Sequence, residues 1–385
     1  MANVSSSNGL EKYPKLRFKG FSEPWHEIVI GDLFKVTRGY VLPTTAVKGK
    51  PQDEYVFPVY SSQTKDEGLM GYYNQYLYEN AITWTTDGAN AGTVHFRDGK
   101  FYCTNVCGVL LNEDGNANRC IAEILGSISK KYVSYVGNPK LMNNVMSEIR
   151  IHIPSVAEQK KIDELISALD LRIVKQRELI EHLKKYKRGL SESIFSTLSC
   201  PTQELSDVCN IVGGGTPDTG ILEYWNGDIS WFTPTEVGKK KYVISSSRKI
   251  TEEGLCKSSA KILPPDTVLL TSRATLGEMS LTTATCCTNQ GFQSLVAKKD
   301  VVLPEYLYYL QTIIKPWCEK YSSGNTFREI SKKALGKCTI PVPSIMKQKY
   351  IVDCLSLIDS KIEKSESVLE KLLRLKSALL QQLYI

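Results

Sequence analysis

One long helical pattern is written twice in this chain, and any fold it adopts must house both copies. Pro154-Ser155-Val156-Ala157-Glu158-Gln159-Lys160 opens the first, and Pro343-Ser344-Ile345-Met346-Lys347-Gln348-Lys349 opens the second, which runs to the last residues. Superposing them pairs Gln159 with Gln348, Asp170 with Asp359 and Lys187 with Lys376. An internal repeat of this kind fixes architecture before any finer reading. In the first copy Ile162, Ile166, Leu169, Ile173, Ile180, Leu183, Leu190 and Ile194 recur on alternating four- and three-residue steps. Ile351, Leu355, Ile358, Ile362, Leu369, Leu372, Leu379 and Leu383 repeat the pattern in the second. That is the a/d seam whose burial drives helix pairing. Both seams break at matching places, Gln176 with Ser365 and Lys187 with Lys376. A polar seam residue lowers stability and can fix register or orientation; local divergence or cover by another subunit would explain it equally. Ser155 and Glu158 form a capping-box pair, which puts the first helix start there; Lys347 denies Ser344 the reciprocal partner. About forty residues at ~1.5 Å each give helices on the order of 60 Å long.

The stretches between the helices repeat as well. Runs rich in aromatic and β-branched residues, broken by Gly, Asn and Asp, read as short strands over much of 40–112. Residues 1–12 read as a loose tail, and Arg119 to Ile128 reads as a helix. Leu205 to Gly214 parallels Ile30 to Gly39, and Thr288-Asn289 echoes Thr104-Asn105. The chain therefore divides into a strand-rich domain at 1–153, a helix at 154–197, a second strand-rich domain at 198–342 and a second helix at 343–385. Duplication favours a pseudo-twofold arrangement, by analogy with twofold dimers.

Motifs for catalysis are absent. There is no GxxxxGK[ST] phosphate loop and no Asn/Asp-Pro-Pro-aromatic loop of the kind that holds a flipped base for amine methylation. The four histidines, His26, His95, His152 and His182, stand apart from any triad or metal-ligand spacing, so no metal site is expected. Eleven cysteines without paired spacing read as reduced and structural. No stretch is apolar for long enough to span a bilayer, which points to a cytoplasmic protein without a membrane partner. A net charge of +7 permits nucleic acid without requiring it. Residues suited to DNA sit in loops. Lys239-Lys240-Lys241 is a compact basic run, Arg273 lies on a turn after a strand, and Asn289-Gln290 carry amides of the kind that read adenine edges. Thr216 follows three glycines, where backbone can approach a phosphate. Arg38 lies where a short element runs into the turn at Gly39, and Asp87, Asn90 and Asn105 are polar tips of the first domain. Taken singly, each is as readily a solvated loop residue.

The whole resembles the specificity subunit of type I restriction–modification systems, from about Pro14 to Ile385. Its carriers are Gly31-Asp32-Leu33-Phe34, Gly214-Gly215-Thr216-Pro217, Tyr224-Trp225-Asn226-Gly227-Asp228-Ile229, Ser272-Arg273-Ala274-Thr275, Thr288-Asn289-Gln290-Gly291-Phe292 and the two Pro-led helix openings; Lys347 departs from the usual acidic residue. The resemblance implies an α+β fold with two strand-rich target-recognition domains separated by two long helices pairing as an antiparallel coiled coil. It implies a non-catalytic subunit that reads a bipartite site in double-stranded DNA, one half per domain. Two modification subunits would dock on the helices and methylate adenine N6. S-adenosylmethionine would be held by them, ATP and Mg by restriction subunits where the system has these, and this chain would hold no cofactor. A coiled-coil adaptor that binds proteins without DNA readout, and a free-standing methyltransferase, are the competing readings. Sequence preference in DNA binding separates the first, S-adenosylmethionine binding the second.

Overall fold

The computed structural model describes residues 2–3, 13–63, 65–324 and 328–384. The tail reading for 1–12 falls outside them except at Ala2–Asn3, which pairs with Leu16–Arg17. Two compact units divide the chain: residues 1–177 with 367–385, and residues 178–366.

In the first unit a six-stranded sheet is built from β1 (Lys35–Arg38), β2 (Phe57–Tyr60), β3 (Leu69–Tyr73), β4 (Tyr78–Thr85), β5 (Val94–Cys103) and β6 (Cys107–Leu111). Their order is β1-β6-β4-β5-β2-β3, antiparallel except where β2 meets β5. The expected helix is α1 (Arg119–Ile128): Asn118 caps it by accepting from Ile121 N at 3.0 Å, and Cys120, Ile121, Ile124 and Leu125 form its buried face. That face packs on Ile82, Trp84 and Leu110 of the sheet. The second unit uses the same plan. Its strands are β7 (Cys209–Gly213), β8 (Trp225–Phe232), β9 (Tyr242–Val243), β10 (Arg248–Ile250), β11 (Val268–Leu270), β12 (Met279–Thr282), β13 (Cys286–Thr288) and β14 (Gln293–Ala297). They pair as β7-β14-β11-β12-β9 and β10-β8-β13. Here β12 and β13 together do the work of the single long β5. In each unit the strand leading into a long helix closes a ribbon with the strand that enters the domain, Arg150–Ile153 with His26–Val29 and Thr339–Pro341 with Thr202–Glu204.

The long helices are α2 (Val156–Thr197) and α3 (Ile345–Leu383), and each lends one half to each unit. In the first unit Ile162 and Ile166 of α2 share a core with Leu379, Leu380 and Leu383 of α3, while Lys376 Nζ lies 2.8 Å from Asp170 Oδ1. Later residues of α2 meet earlier residues of α3, so the two run antiparallel. In the second unit Leu190, Ile194 and Phe195 pack with Ile351 and Leu355, and Lys187 Nζ lies 2.5 Å from Asp359 Oδ1. This segment is antiparallel too. Of the remaining seam residues Leu169, Ile173, Ile180, Ile358 and Ile362 are buried, and Leu183, Leu369 and Leu372 half-buried. The seam interruptions now have a physical role. Lys187 and Lys376 are equivalent, as are Asp170 and Asp359, and each lysine pairs with the aspartate of the other copy. A parallel or slipped pairing would separate these charges.

The repeated glutamine has an equally local cause. Gln159 and Gln348 are fully buried. Gln348 Nε2 donates to Pro343 O and Val301 O (both 2.9 Å), and Leu303 N donates to its Oε1 (2.8 Å). Gln159 Nε2 donates to Pro154 O and Asn116 Oδ1 (both 3.0 Å), and Asn118 Nδ2 donates to its Oε1 (2.7 Å). Each glutamine thus pins a domain loop to a helix start and satisfies buried polar groups that would otherwise be costly. The capping box at Ser155 forms only in part. Glu158 N points to Ser155 Oγ at 3.4 Å, but the Glu158 carboxylate is held by Arg17 Nε and Nη2 at 2.7 and 2.8 Å. Both side chains are almost wholly buried, which fastens the N-terminal segment to α2. Lys347, at the matching place in α3, is exposed.

Candidate nucleic-acid interface

In both units the turns carrying the candidate residues gather at one end of the sheet, held by the same backbone bonds. Tyr40 N donates to Cys103 O (3.2 Å), Thr104 N to Tyr60 O (2.9 Å) and Thr86 N to Val106 O (2.9 Å). In the second unit Gly215 N donates to Thr288 O (2.9 Å), Asn289 N to Phe232 O (3.0 Å) and Ser272 N to Gly291 O (2.7 Å). These bonds match Thr104 to Asn289 and Asn105 to Gln290. The echo read from sequence between Thr104-Asn105 and Thr288-Asn289 is therefore one residue out of register. They also match Asp87 to Arg273, so the same turn offers opposite charges in the two domains. The glycine ahead of each cluster is required by close approach. A Cβ on Gly39 would fall 2.1 Å from Cys103 O, and one on Gly214 would fall 2.0 Å from Asn289 O.

Within the first cluster Arg38 and Asn105 are exposed. Asp87 accepts from Thr86 Oγ1 at 2.7 Å and sits 3.7 Å from Lys140 Nζ; Asn90 Nδ2 donates to Ser62 O at 3.0 Å. Asp87 thus braces its own turn, and Asn90 ties that loop to the one at Ser62. Below it lies a cavity of about 210 Å³ lined by Thr83, Asn90, His95 and Arg97 among others. The Arg97 guanidinium is buried over the Tyr60 ring, and burial, with the Arg97 charge second, pushes His95 down to about 4. Trp84, next to the polar tips in sequence, belongs to the core, its Nε1 bonded to Leu141 O at 3.0 Å.

In the second cluster Thr216 Oγ1 donates to Gln290 Oε1, tying two loops together. Asn289 Oδ1 accepts from Gly291 N at 2.9 Å, so that amide braces its own turn. Arg273 is exposed and paired with Glu329 at 2.9 Å. Lys239 and Lys240 are exposed beside Gly238, which packs against Glu278 at the foot of the Arg273 turn. Lys241 is the exception among the lysines. Pairing of Tyr242 with Leu281 turns Lys241 inward, where its Nζ donates to Tyr309 Oη at 2.9 Å and burial pushes its pKa down. It is a packing residue, not a phosphate contact. Glu236, unremarked in the sequence, ties the loop after β8 to the segment before β10: it accepts from Thr233 N (2.9 Å) and Ser247 N (2.7 Å). Although partial burial opposes its charge, these bonds hold its carboxyl below the usual range.

The sequence pattern of the family described as "Type I restriction modification DNA specificity domain" matches residues 22–185 and, a second time, 201–374. The chain belongs to this family. The first specificity domain so defined takes in the six-stranded sheet and its cluster of turns, the second the five- and three-stranded sheets and theirs. Among relatives, the specificity subunit of the type I restriction enzyme MjaIX of Methanocaldococcus jannaschii is 38% identical over 177 residues, 44% of this chain and 41% of that one. The EcoR124I/EcoR124II specificity subunit of Escherichia coli is 27% identical over 207 residues, 51% of this chain and 48% of that one. The matches thus span less than half the length of either relative. In fold, the crystal structure of the S subunit of a type I restriction–modification system from M. genitalium aligns with a TM-score of 0.63 at 18% identity, over 97% of this chain and 99% of that one. Burial pushes the Cys107 and Cys286 thiols up to about 11, and Cys209 and Cys287 up to about 12, away from the thiolate form. Among the described residues no helix is long and apolar enough to cross a membrane.

Proposed function

We propose that this chain is the DNA-reading subunit of a type I restriction–modification complex, with each specificity domain contacting one half of a bipartite site in double-stranded DNA. The observation that carries this reading is the duplication of one loop cluster, built on the same strand order, twice in one chain. Two such clusters can read two different half-sites because their side chains differ at equivalent places, Asp87 against Arg273 and Thr104 against Asn289. Exposed lysines beside the second cluster, Lys239 and Lys240, supply sequence-independent attraction to phosphates. The chain catalyses nothing itself. It holds no cofactor, and acts in the cytoplasm. Two modification subunits dock on α2 and α3, bring S-adenosylmethionine and methylate adenine N6; restriction subunits, where the system has them, bring ATP and Mg. Support for docking comes from apolar side chains left exposed along the helices, Leu171 and Val174 on α2 and Leu357 and Leu375 on α3.

Single-base mapping of N6-methyladenine in DNA modified by the chain with its modification subunits tests the reading. The expected result is one bipartite, asymmetric motif. Methylation without sequence preference, or none, would refute it.

A further inference from the structure

Trp225 and Trp231 of β8 meet edge to face, with ring centroids 5.1 Å apart and planes at 85°. Both are almost wholly buried. Their N–H groups are directed at the glycine-rich loop: Trp231 Nε1 donates to Gly215 O at 2.8 Å and Trp225 Nε1 to Asp218 O at 3.1 Å. The pair thereby clamps the segment that carries Thr216 to the sheet. Over this pair lies Arg248, the first residue of β10, opposite Trp231 in the strand register. Its guanidinium carbon stands 3.7 Å from the Trp225 ring centroid and 5.2 Å from that of Trp231. β8 ends at Phe232, which holds the Asn289 turn, so Arg248 stands at the same end of the domain as the recognition loops. It is exposed, and among the described residues it joins no ion pair. Arg273, the arginine that sequence favours for base reading, is occupied by Glu329.

Stacking on an indole engages the face of a guanidinium and leaves its N–H groups free in the plane. A plane already fixed also loses less side-chain freedom on binding than a mobile chain does. These are the requirements of a directional contact, and a phosphate contact does not need them. We propose that Arg248 is a base-reading residue of the second specificity domain, presented by Trp225 to the O6 and N7 acceptors of a guanine. Such a fork is the commonest specific pairing in the major groove. The inference rests on the DNA-reading function proposed above and adds a residue and a base to it.

The test uses the full chain with its modification subunits, as wild type, Arg248→Ala and Arg248→Lys, each mapped for N6-methyladenine at single-base resolution. Arg248→Ala is expected to relax one guanine position in one half-site, with discrimination there falling on the order of ten- to a hundredfold, and the other half-site unchanged. Arg248→Lys keeps the charge but loses the planar fork that lies over Trp225. Relaxation at the same position in this variant, with an unchanged melting temperature, supports the assignment even if the alanine variant folds poorly. An intact motif in the alanine variant with an unchanged melting temperature would overturn it. So would a uniform loss of affinity with the salt slope reduced by about one, which marks a phosphate contact. A wild-type chain directing no sequence-specific methylation would instead bring down the function proposed above, and this assignment with it.

Discussion

Replacing Lys187 by methionine removes a cation from the seam between α2 and α3 and leaves Asp359 facing it. Lys187 and Asp359 are 24% and 14% exposed, with their charged atoms 2.5 Å apart. At an effective dielectric near 20, two unit charges ~3 Å apart attract by about 5 kcal/mol, most of which desolvation offsets. Exposed pairs contribute ~0.2–1 kcal/mol, whereas breaking a fully buried pair costs ~3–5 kcal/mol. This pair lies between, and Asp359 keeps the Tyr309 hydroxyl at 2.6 Å. The expected loss is about 2 kcal/mol. Lys376→Met in the first unit should cost less, about 1 kcal/mol, because Arg119 remains 3.7 Å from Asp170. Thermal unfolding followed by helical circular dichroism reads both. For units of this size ~1 kcal/mol shifts the midpoint by roughly 2–4 °C. Lys187→Met should therefore lower it by about 4–8 °C and Lys376→Met by about 2–4 °C. Replacing both Lys187 and Asp359 by leucine should recover part of the loss, since Asp359 no longer faces the seam alone, while Lys241, linked to Asp359 through Tyr309, gives up a favourable carboxylate. A Lys187→Met midpoint equal to wild type, or a double leucine variant worse than either single, would refute the register argument.

Gln348→Ala strands Leu303 N and Val301 O without partners and should cost ~2–4 kcal/mol in urea unfolding, a loss that Gln159→Ala should reproduce in the first unit. His95 titrates near 4 in the folded state because burial, and then the Arg97 charge, oppose its protonation. Against an unfolded value of ~6.5, the unfolded chain binds the extra proton, so this stability is complete above pH ~6.5 and falls away toward pH ~4, by as much as ~3 kcal/mol. Melting curves of His95→Gln should show a flatter acid limb; an unchanged one would count against the assignment. Gly214→Ala forces the Thr216 loop off the Asn289 carbonyl and should erase the half-site read by the second domain, with helical content unaltered and the first half-site still read.

Much of this was legible because helical seams carry their own period. Ile162 to Leu383 announce two paired helices from spacing alone. The seam breaks at Lys187 and Lys376 were visible too, but not their partners. Antiparallel pairing puts Lys187 and Lys376 against aspartates 172 and 206 residues away in the chain, at separations no local pattern reports. Recognition residues were harder. Three consecutive lysines look alike in sequence, and only the strand pairing of Tyr242 with Leu281 turns Lys241 inward. Asn289 reads as an amide suited to adenine edges and Asp87 as a polar tip, yet both are engaged in shaping their own turns. Arg248 lies in a run of serines with no turn signal of its own. Its importance depends on Trp225, which comes alongside through the β8–β10 pairing.

The most direct test of the account is exchange of a whole domain. Replacing residues 202–341, bounded by the ribbon that pairs Thr202 with Pro341, by the matching segment of another family member leaves α2 and α3 in place. Mapping N6-methyladenine in DNA modified by this hybrid with its modification subunits should reveal a motif with one half-site replaced, and the other half-site and the gap between them unchanged. A hybrid that changed both half-sites together, or neither, would contradict independent reading by the two domains.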